Sequence, residues 1–264
     1  MKLATQDRGF FGSTYEHKLA TLKEIGFEGL EIDGRNLVER YDEIEKAVRA
    51  TGVPISSVCG GYRGWIGDFD ADQRAIAISD IGAIMERTAA IGAEGIVVPA
   101  AFGIFSKKLP PFSSPRDALE ERKVLLDALS QLNDHARRTG SVLLLEPLNR
   151  YEDHMINRLD EAASLIREGG FEGVKVMADF FHMAIEERDI SASLRETGDL
   201  VAHVHLADSN RLQPGFGHTD FKTYFKTLKD IGFDGYMAVE CELSPGDGLE
   251  LYKQMAEYLK ACMN

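Results

Sequence analysis

LKEIGFEGLEI (22–32), IREGGFEGVKV (166–176) and LKDIGFDGYMAVE (228–240) are three copies of one phrase. Each opens as the last turn of a helix, passes a glycine and a short turn, and runs into a β-rich stretch. The glycines Gly26, Gly170 and Gly232 sit where a helix ends in the left-handed region, which only glycine enters without steric cost. AAIGAEGIVV (89–98), with Gly92 in that place, is a looser copy, and TGVPISSV and TGSVLLLE are reduced ones. A phrase of this kind, repeated along the chain, is the signature of alternating helices and parallel strands.

Working outward, strands are expected near 2–6, 29–33, 54–60, 94–99, 141–146, 174–179, 201–206 and 236–241. Helical patterns fall between them at 14–25, 36–51, 71–91, 115–139, 158–168, 190–197, 219–231 and 247–261. The long ones carry apolar residues at three-to-four spacing, as in Ile78, Ile81, Met85 and Ala89. Eight strands alternating with eight helices point to a (β/α)8 TIM barrel, one α/β domain over residues 1–264. A doubly wound open sheet is the rival, since alternation alone does not count closure.

Four of these strands end on a polar side chain: Glu146 in SVLLLEP, Asp179 in VKVMADF, His205 in VAHVHLA and Glu240 in YMAVECE. An unpaired charge at the end of a buried strand is expensive. In a barrel, the carboxyl ends of strands five to eight converge on one mouth, where active sites lie. Three carboxylates and one imidazole form an oxygen-rich donor set. It suits Mn²⁺ or Mg²⁺ best and also fits Co²⁺, whereas a structural zinc site would use more sulfur or nitrogen.

Loops at the same mouth carry His182, three residues after Asp179, Arg211 after His205, and Glu152 after Glu146. His203 precedes His205 by two residues and shares its side of the strand; it is either a support for the site or a packed barrel histidine. His218 lies in a glycine-rich loop at the mouth, while His17, His135 and His154 read as surface residues. The segments 60–72 and 107–115 are expected to be long mouth loops, and Tyr62, Trp65 and Phe69 of the first either line a pocket or pack the loop down. Arg8, Arg63, Lys107 and Lys108 read as solvated charge. The C-terminal stripe Leu249, Tyr252, Met255 and Leu259 is expected to pack on the barrel.

The chain has 264 residues and a net charge of −13, which disfavours a nucleic-acid backbone as partner. No apolar run has transmembrane length and the first residues lack a signal-peptide core, so neither membrane nor export is expected. Three scattered cysteines, Cys59, Cys241 and Cys262, make no disulfide framework and fit a reducing cytoplasm.

EPLNRYE, ADFFHM, HVHLADSNRLQPGFGHTDF and VECEL together resemble the xylose-isomerase-like sugar isomerase/epimerase superfamily. Within it they are most similar to the ketose 3-epimerases of the D-tagatose and D-psicose group. The resemblance implies that Glu146, Asp179, His205 and Glu240 hold the metal and that Glu146 and Glu240 are also the catalytic acid–base pair. It assigns substrate contacts to Glu152, His182 and Arg211, and a homodimer or tetramer to the assembly. The expected activity is a metal-dependent ketose 3-epimerase acting on a free ketohexose or ketopentose through an enediolate. Alternatives on the same metal site are an aldose–ketose or hydroxypyruvate-type isomerase and an inosose-type dehydratase.

Overall fold

A computed structural model describes residues 1–103 and 113–264. Eight strands pair in chain order into a closed parallel barrel: β1 (Lys2–Gln6), β2 (Gly29–Ile32), β3 (Ile55–Cys59), β4 (Ile96–Pro99), β5 (Leu143–Glu146), β6 (Val174–Asp179), β7 (Val201–Leu206) and β8 (Tyr236–Val239). β8 returns to β1 in parallel register, Ala4 beside Ala238, so no edge is left open. The open sheet is thereby excluded. Outside run α1 (Tyr15–Ile25), α2 (Gly34–Glu39), α3 (Tyr41–Thr51), α4 (Ala71–Ile91), α5 (Ala118–Thr139), α6 (Leu159–Gly169), α7 (Phe180–Glu186), α8 (Ile190–Thr197), α9 (Phe221–Asp230) and α10 (Gly248–Met263).

The repeated phrase folds as its glycines require. Gly26, Gly92, Gly170 and Gly232 all have φ between 63° and 94°. Three details differ from expectation. The span 36–51 is two helices, because Arg40 leaves helical geometry at ψ 25°. The short helix α7 follows β6 at once. Glu240 falls one residue past β8, yet its N–H still donates to Leu206 O at 3.1 Å and so continues the ladder. The expected mouth loop at 107–115 lies mostly outside the described residues.

Strand alternation decides what faces the barrel interior. In β5, Leu143 and Leu145 join the large core, while Leu144 packs with Val97 and Met177 in a separate small cluster. Glu146 is in phase with Leu144, Asp179 with Met177, and His205 with His203. The inward faces thus change from apolar to polar toward the carboxyl ends of the strands. α10 buries Tyr252, Met255 and Leu259 and leaves Leu249 36% exposed, so most of its stripe packs as expected. Among the described residues, no helix is long and apolar enough to cross a membrane.

Candidate active site at the barrel mouth

Glu146, Asp179, His205 and Glu240 each present one ligand atom, and these four atoms lie within 4.8 Å of one another. Asp179 does two things at once. Its Oδ1 caps α7 by accepting the N–H groups of Phe181 at 2.7 Å and His182 at 3.2 Å, which leaves Oδ2 turned to the site. That cap starts the helix immediately after the strand. It also swings His182 round to the same mouth. His205 Nδ1 lies 3.2 Å from Glu240 Oε2, while its Nε2 points down the barrel to Glu31, 3.0 Å away. Glu240 Oε1 accepts from the Gln6 amide at 2.7 Å, so the first strand steadies the acid that follows the last.

The three expected substrate contacts sit around this cluster. His182 Nε2 lies 3.7 Å from Glu146, 3.8 Å from Glu152 and 3.8 Å from Asp179. Its Nδ1 accepts the Asn149 backbone N–H at 3.2 Å, so the ring proton belongs on Nε2, facing the site. Burial lowers the His182 pKa below its usual value. A neutral donor results. Arg211 is the one described non-glycine residue with positive φ, 66°. Its guanidinium donates to Asp179 Oδ2 at 3.1 Å and Glu240 Oε2 at 2.7 Å and lies over the Phe181 ring, 4.6 Å from its centre.

The two glutamates differ electrostatically. Burial, reinforced by Glu240 and Asp179, pushes Glu146 well above the usual carboxylate range. Burial would do the same to Glu240, but His205 and then Arg211 outweigh it and hold that group below the range. Two like side chains facing one site thus sit in surroundings of opposite electrostatic sense. Burial and the nearby acids Glu31 and Glu240 push the Cys59 thiol up, so it stays protonated and unsuited to nucleophilic attack.

Above the cluster opens a cavity of about 190 Å³, lined by Glu146, Glu152, His182, Arg211 and Glu240 on one side. Tyr62, Trp65 and Phe102 line the other, their rings in edge-on and tilted contact at 5.7 and 6.1 Å. A wider groove of about 580 Å³ runs between α4 and α5, remote from these groups. Phe69 does not reach the cavity lining; it packs on His154 and under Arg116. His154, expected at the surface, is buried, because Glu121 receives its Nε2 at 2.9 Å and Asp153 flanks Nδ1 at 3.6 Å. Arg8 is no solvated charge either: it bonds Cys241 O and the Tyr252 hydroxyl, tying the segment after β1 to α10.

Three contributors were not singled out from the sequence: Gln6, Glu31 and Asn149. Asn149 lies inside EPLNRYE and was passed over for its charged neighbours. Glu31 lies in LKEIGFEGLEI, and the two-residue period of that strand, with Leu30 and Ile32 on the other side, was the available signal. His203 does join the site's support, between Glu31 at 3.1 Å and Glu94 at 3.4 Å.

Three carboxylates gathered in a buried space demand positive charge. Arg211 supplies one, and the oxygen-rich donor set with one imidazole fits a divalent cation for the rest. Known proteins share the chain's sequence and fold. Residues 19–262 match the model of the xylose isomerase-like TIM barrel family. A 3-dehydro-D-guloside 4-epimerase of Escherichia coli (strain K12) is 43% identical over 262 residues, 99% of this chain and 100% of that one. The apo crystal structure of a 3-keto-D-glucoside 4-epimerase from E. coli superposes with a TM-score of 0.97 at 43% identity, over 99% of this chain and 100% of that one. A D-psicose 3-epimerase of Agrobacterium fabrum is more distant, 27% identical over 88% of this chain and 83% of its own. The expected superfamily holds, while the ketose 3-epimerases, toward which the motifs leaned, match at lower identity than the 4-epimerase. The chain belongs to the xylose isomerase-like TIM barrel family and is one of its sugar epimerases.

Proposed function

We propose that the chain epimerises C4 of a 3-dehydro-glycoside, a pyranoside whose C3 is a ketone. The observation that carries the reading is the pair Glu146 and Glu240, gathered with Asp179 and His205 into one buried donor cluster and both lining the cavity above it. The hydrogen next to a ketone is the only acidic C–H of such a sugar. In a 3-dehydro-glycoside the carbons next to the ketone are C2 and C4, and in a free 2-ketose they are C1 and C3. The reacting unit, an α-hydroxyketone, is the same in both.

Glu146, Asp179, His205 and Glu240 would hold the cation, with Mn²⁺ our first choice and Mg²⁺ or Co²⁺ compatible. When bound, it supplies stabilisation of negative charge on the carbonyl and neighbouring hydroxyl oxygens. The ionised glutamate removes the C4 proton, and the protonated one returns a proton to the opposite face. One of the pair Glu146 and Glu240 starts as the ionised base and the other as the acid, and the reverse reaction exchanges the roles. His182 Nε2–H and Arg211 donate to the oxygens that gain charge, and Glu152 positions a hydroxyl. The aromatic residues Tyr62, Trp65 and Phe102 give the cavity an apolar wall against which a sugar ring can pack.

Identity over the full length to a 4-epimerase favours this substrate over a free ketose. The ketose 3-epimerase remains the second reading, supported by the more distant psicose enzymes. The test is incubation of methyl 3-dehydro-D-glucoside, and separately of D-fructose, with protein and Mn²⁺ in D₂O, followed by NMR. Inverted, deuterated C4 supports the proposal. Turnover of fructose to psicose with an untouched glycoside replaces it by the second reading.

A further inference from the structure

Directly beneath the ligand cluster lies a second group of buried polar residues that the epimerase chemistry does not use. Glu31 is 1% exposed, inside the barrel, and not among the residues that line the cavity. Its oxygens are saturated. Oε1 accepts from Gln6 Nε2 at 3.1 Å and lies 3.0 Å from His205 Nε2. Oε2 accepts from the Ser57 hydroxyl at 2.7 Å and lies 3.1 Å from His203 Nε2. The two imidazoles stand edge to face, 5.4 Å apart at 79°. The far nitrogen of His203 is anchored on Glu94.

We propose that Glu31 is a positioning residue for the cation site: it holds the Nε2–H of His205 so that Nδ1 is the nitrogen turned to the cation, while Ser57, His203 and Gln6 hold Glu31 itself. This inference rests on the reading of Glu146, Asp179, His205 and Glu240 as ligands. An imidazole that gives one nitrogen to a metal keeps its proton on the other, and an acceptor there fixes both tautomer and ring angle. Glu31 is that acceptor, and its own rotation is blocked by donors on both oxygens. Glu31, His203 and His205 also lie close enough to one another to suggest a second metal position. Yet the nitrogens facing Glu31 are already at hydrogen-bond distance from it, which leaves no coordination space between them. The group is a cradle for the site above it.

The test is Mn²⁺ binding to the purified full chain by titration calorimetry, without substrate, for wild type, Glu31→Gln and Ser57→Ala. Glutamine keeps the size of the side chain but loses the charge and presents an amide to donors. Glu31→Gln is expected to weaken Mn²⁺ binding about 10- to 100-fold and to change the visible spectrum of the Co²⁺-loaded protein, which reports on the ligands directly. Ser57→Ala, which removes one anchor of Glu31 and no charge, is expected to weaken binding about threefold, and it decides the matter should Glu31→Gln fail to fold. Unchanged affinity and an unchanged Co²⁺ spectrum in a folded Glu31→Gln overturn the proposal, as does unchanged affinity in Ser57→Ala alone. Wild-type protein that binds no dication overturns the ligand reading itself, a different result from a wild type that binds and a variant that binds equally.

Discussion

Glu146 and Glu240 are the same side chain with opposite surroundings, and each should be needed for a different half of the exchange. Glu146→Gln and Glu240→Gln are each expected to lower kcat by roughly 10²–10⁴-fold, with Mn²⁺ binding weakened but retained. Turnover and calorimetry on the same preparations check this, and a wild-type rate in either variant removes that residue as an obligatory acid or base. Asn149 acts one step back. Its amide and backbone N–H both meet His182 Nδ1, at 2.8 and 3.2 Å, so the ring is fixed from two directions. Asn149→Ala leaves the backbone contact and should lower kcat/KM about tenfold, a loss of about 1.4 kcal/mol. A kinetic constant unchanged within twofold would show that the backbone contact alone suffices. At this scale the sequence was informative where charge meets an apolar run, as at Glu146 and Asp179. It was silent for Asn149 and Gln6, whose neutral amides gain meaning only from the partners the fold brings to them.

At the scale of elements, two loops carry Glu152 and Arg211, proposed to face the substrate, and each loop is tied by a buried acid. The loop after β7 is gathered by Asp208, whose carboxylate accepts the N–H groups of Ser209, Gly215 and Thr219. Gly217 packs so close to that carboxylate that a Cβ there would come within 2.2 Å of Asp208 Oδ1. The knot presents Arg211 in its left-handed conformation, and Asp208→Ala should raise KM several-fold with a smaller change in kcat. Equal kcat and KM to wild type would show the loop holds its shape without it. The loop after β5 is tied by Asp153, which burial raises from 3.8 to about 7. Across that interval the folded chain keeps a proton the unfolded chain has released. The stability from this group is therefore complete below pH 3.8 and lost as pH rises to about 7. Asp153→Asn should flatten that part of the curve of Tm against pH, measured by calorimetry; a curve parallel to wild type would reject the assignment. Helices and strands of the repeated phrase were legible because glycine and periodicity mark them. α7 was not, since seven residues in ADFFHMAIE hold too few turns for a period, and its start depends on an aspartate that also faces the site. His154 misled for a related reason: its partner Glu121 lies 33 residues away, on α5.

For the whole molecule, closure was inferred from repeat number, and the pairing of β8 with β1 bears it out. Substrate identity was less legible, because the quoted motifs build the donor cluster and its immediate surroundings and say little about what would hold the rest of a sugar. A cation that joins four strand ends should stabilise the barrel as a unit. At about a hundred times Kd the gain is about 2.7 kcal/mol, which for a chain of this size raises Tm by roughly 5–10 °C. Thermal melts with and without Mn²⁺, and again after chelation, measure it; superimposable melts would mean no specific site. The bond between Gln6 and Glu240 spans 234 positions of the chain. While the protein is still emerging from the ribosome, that contact has no partner, and neither does the oxygen that Glu240 lends to the cluster. Closure of the donor cluster, and of any ion site it makes, must then wait until the last strand is released.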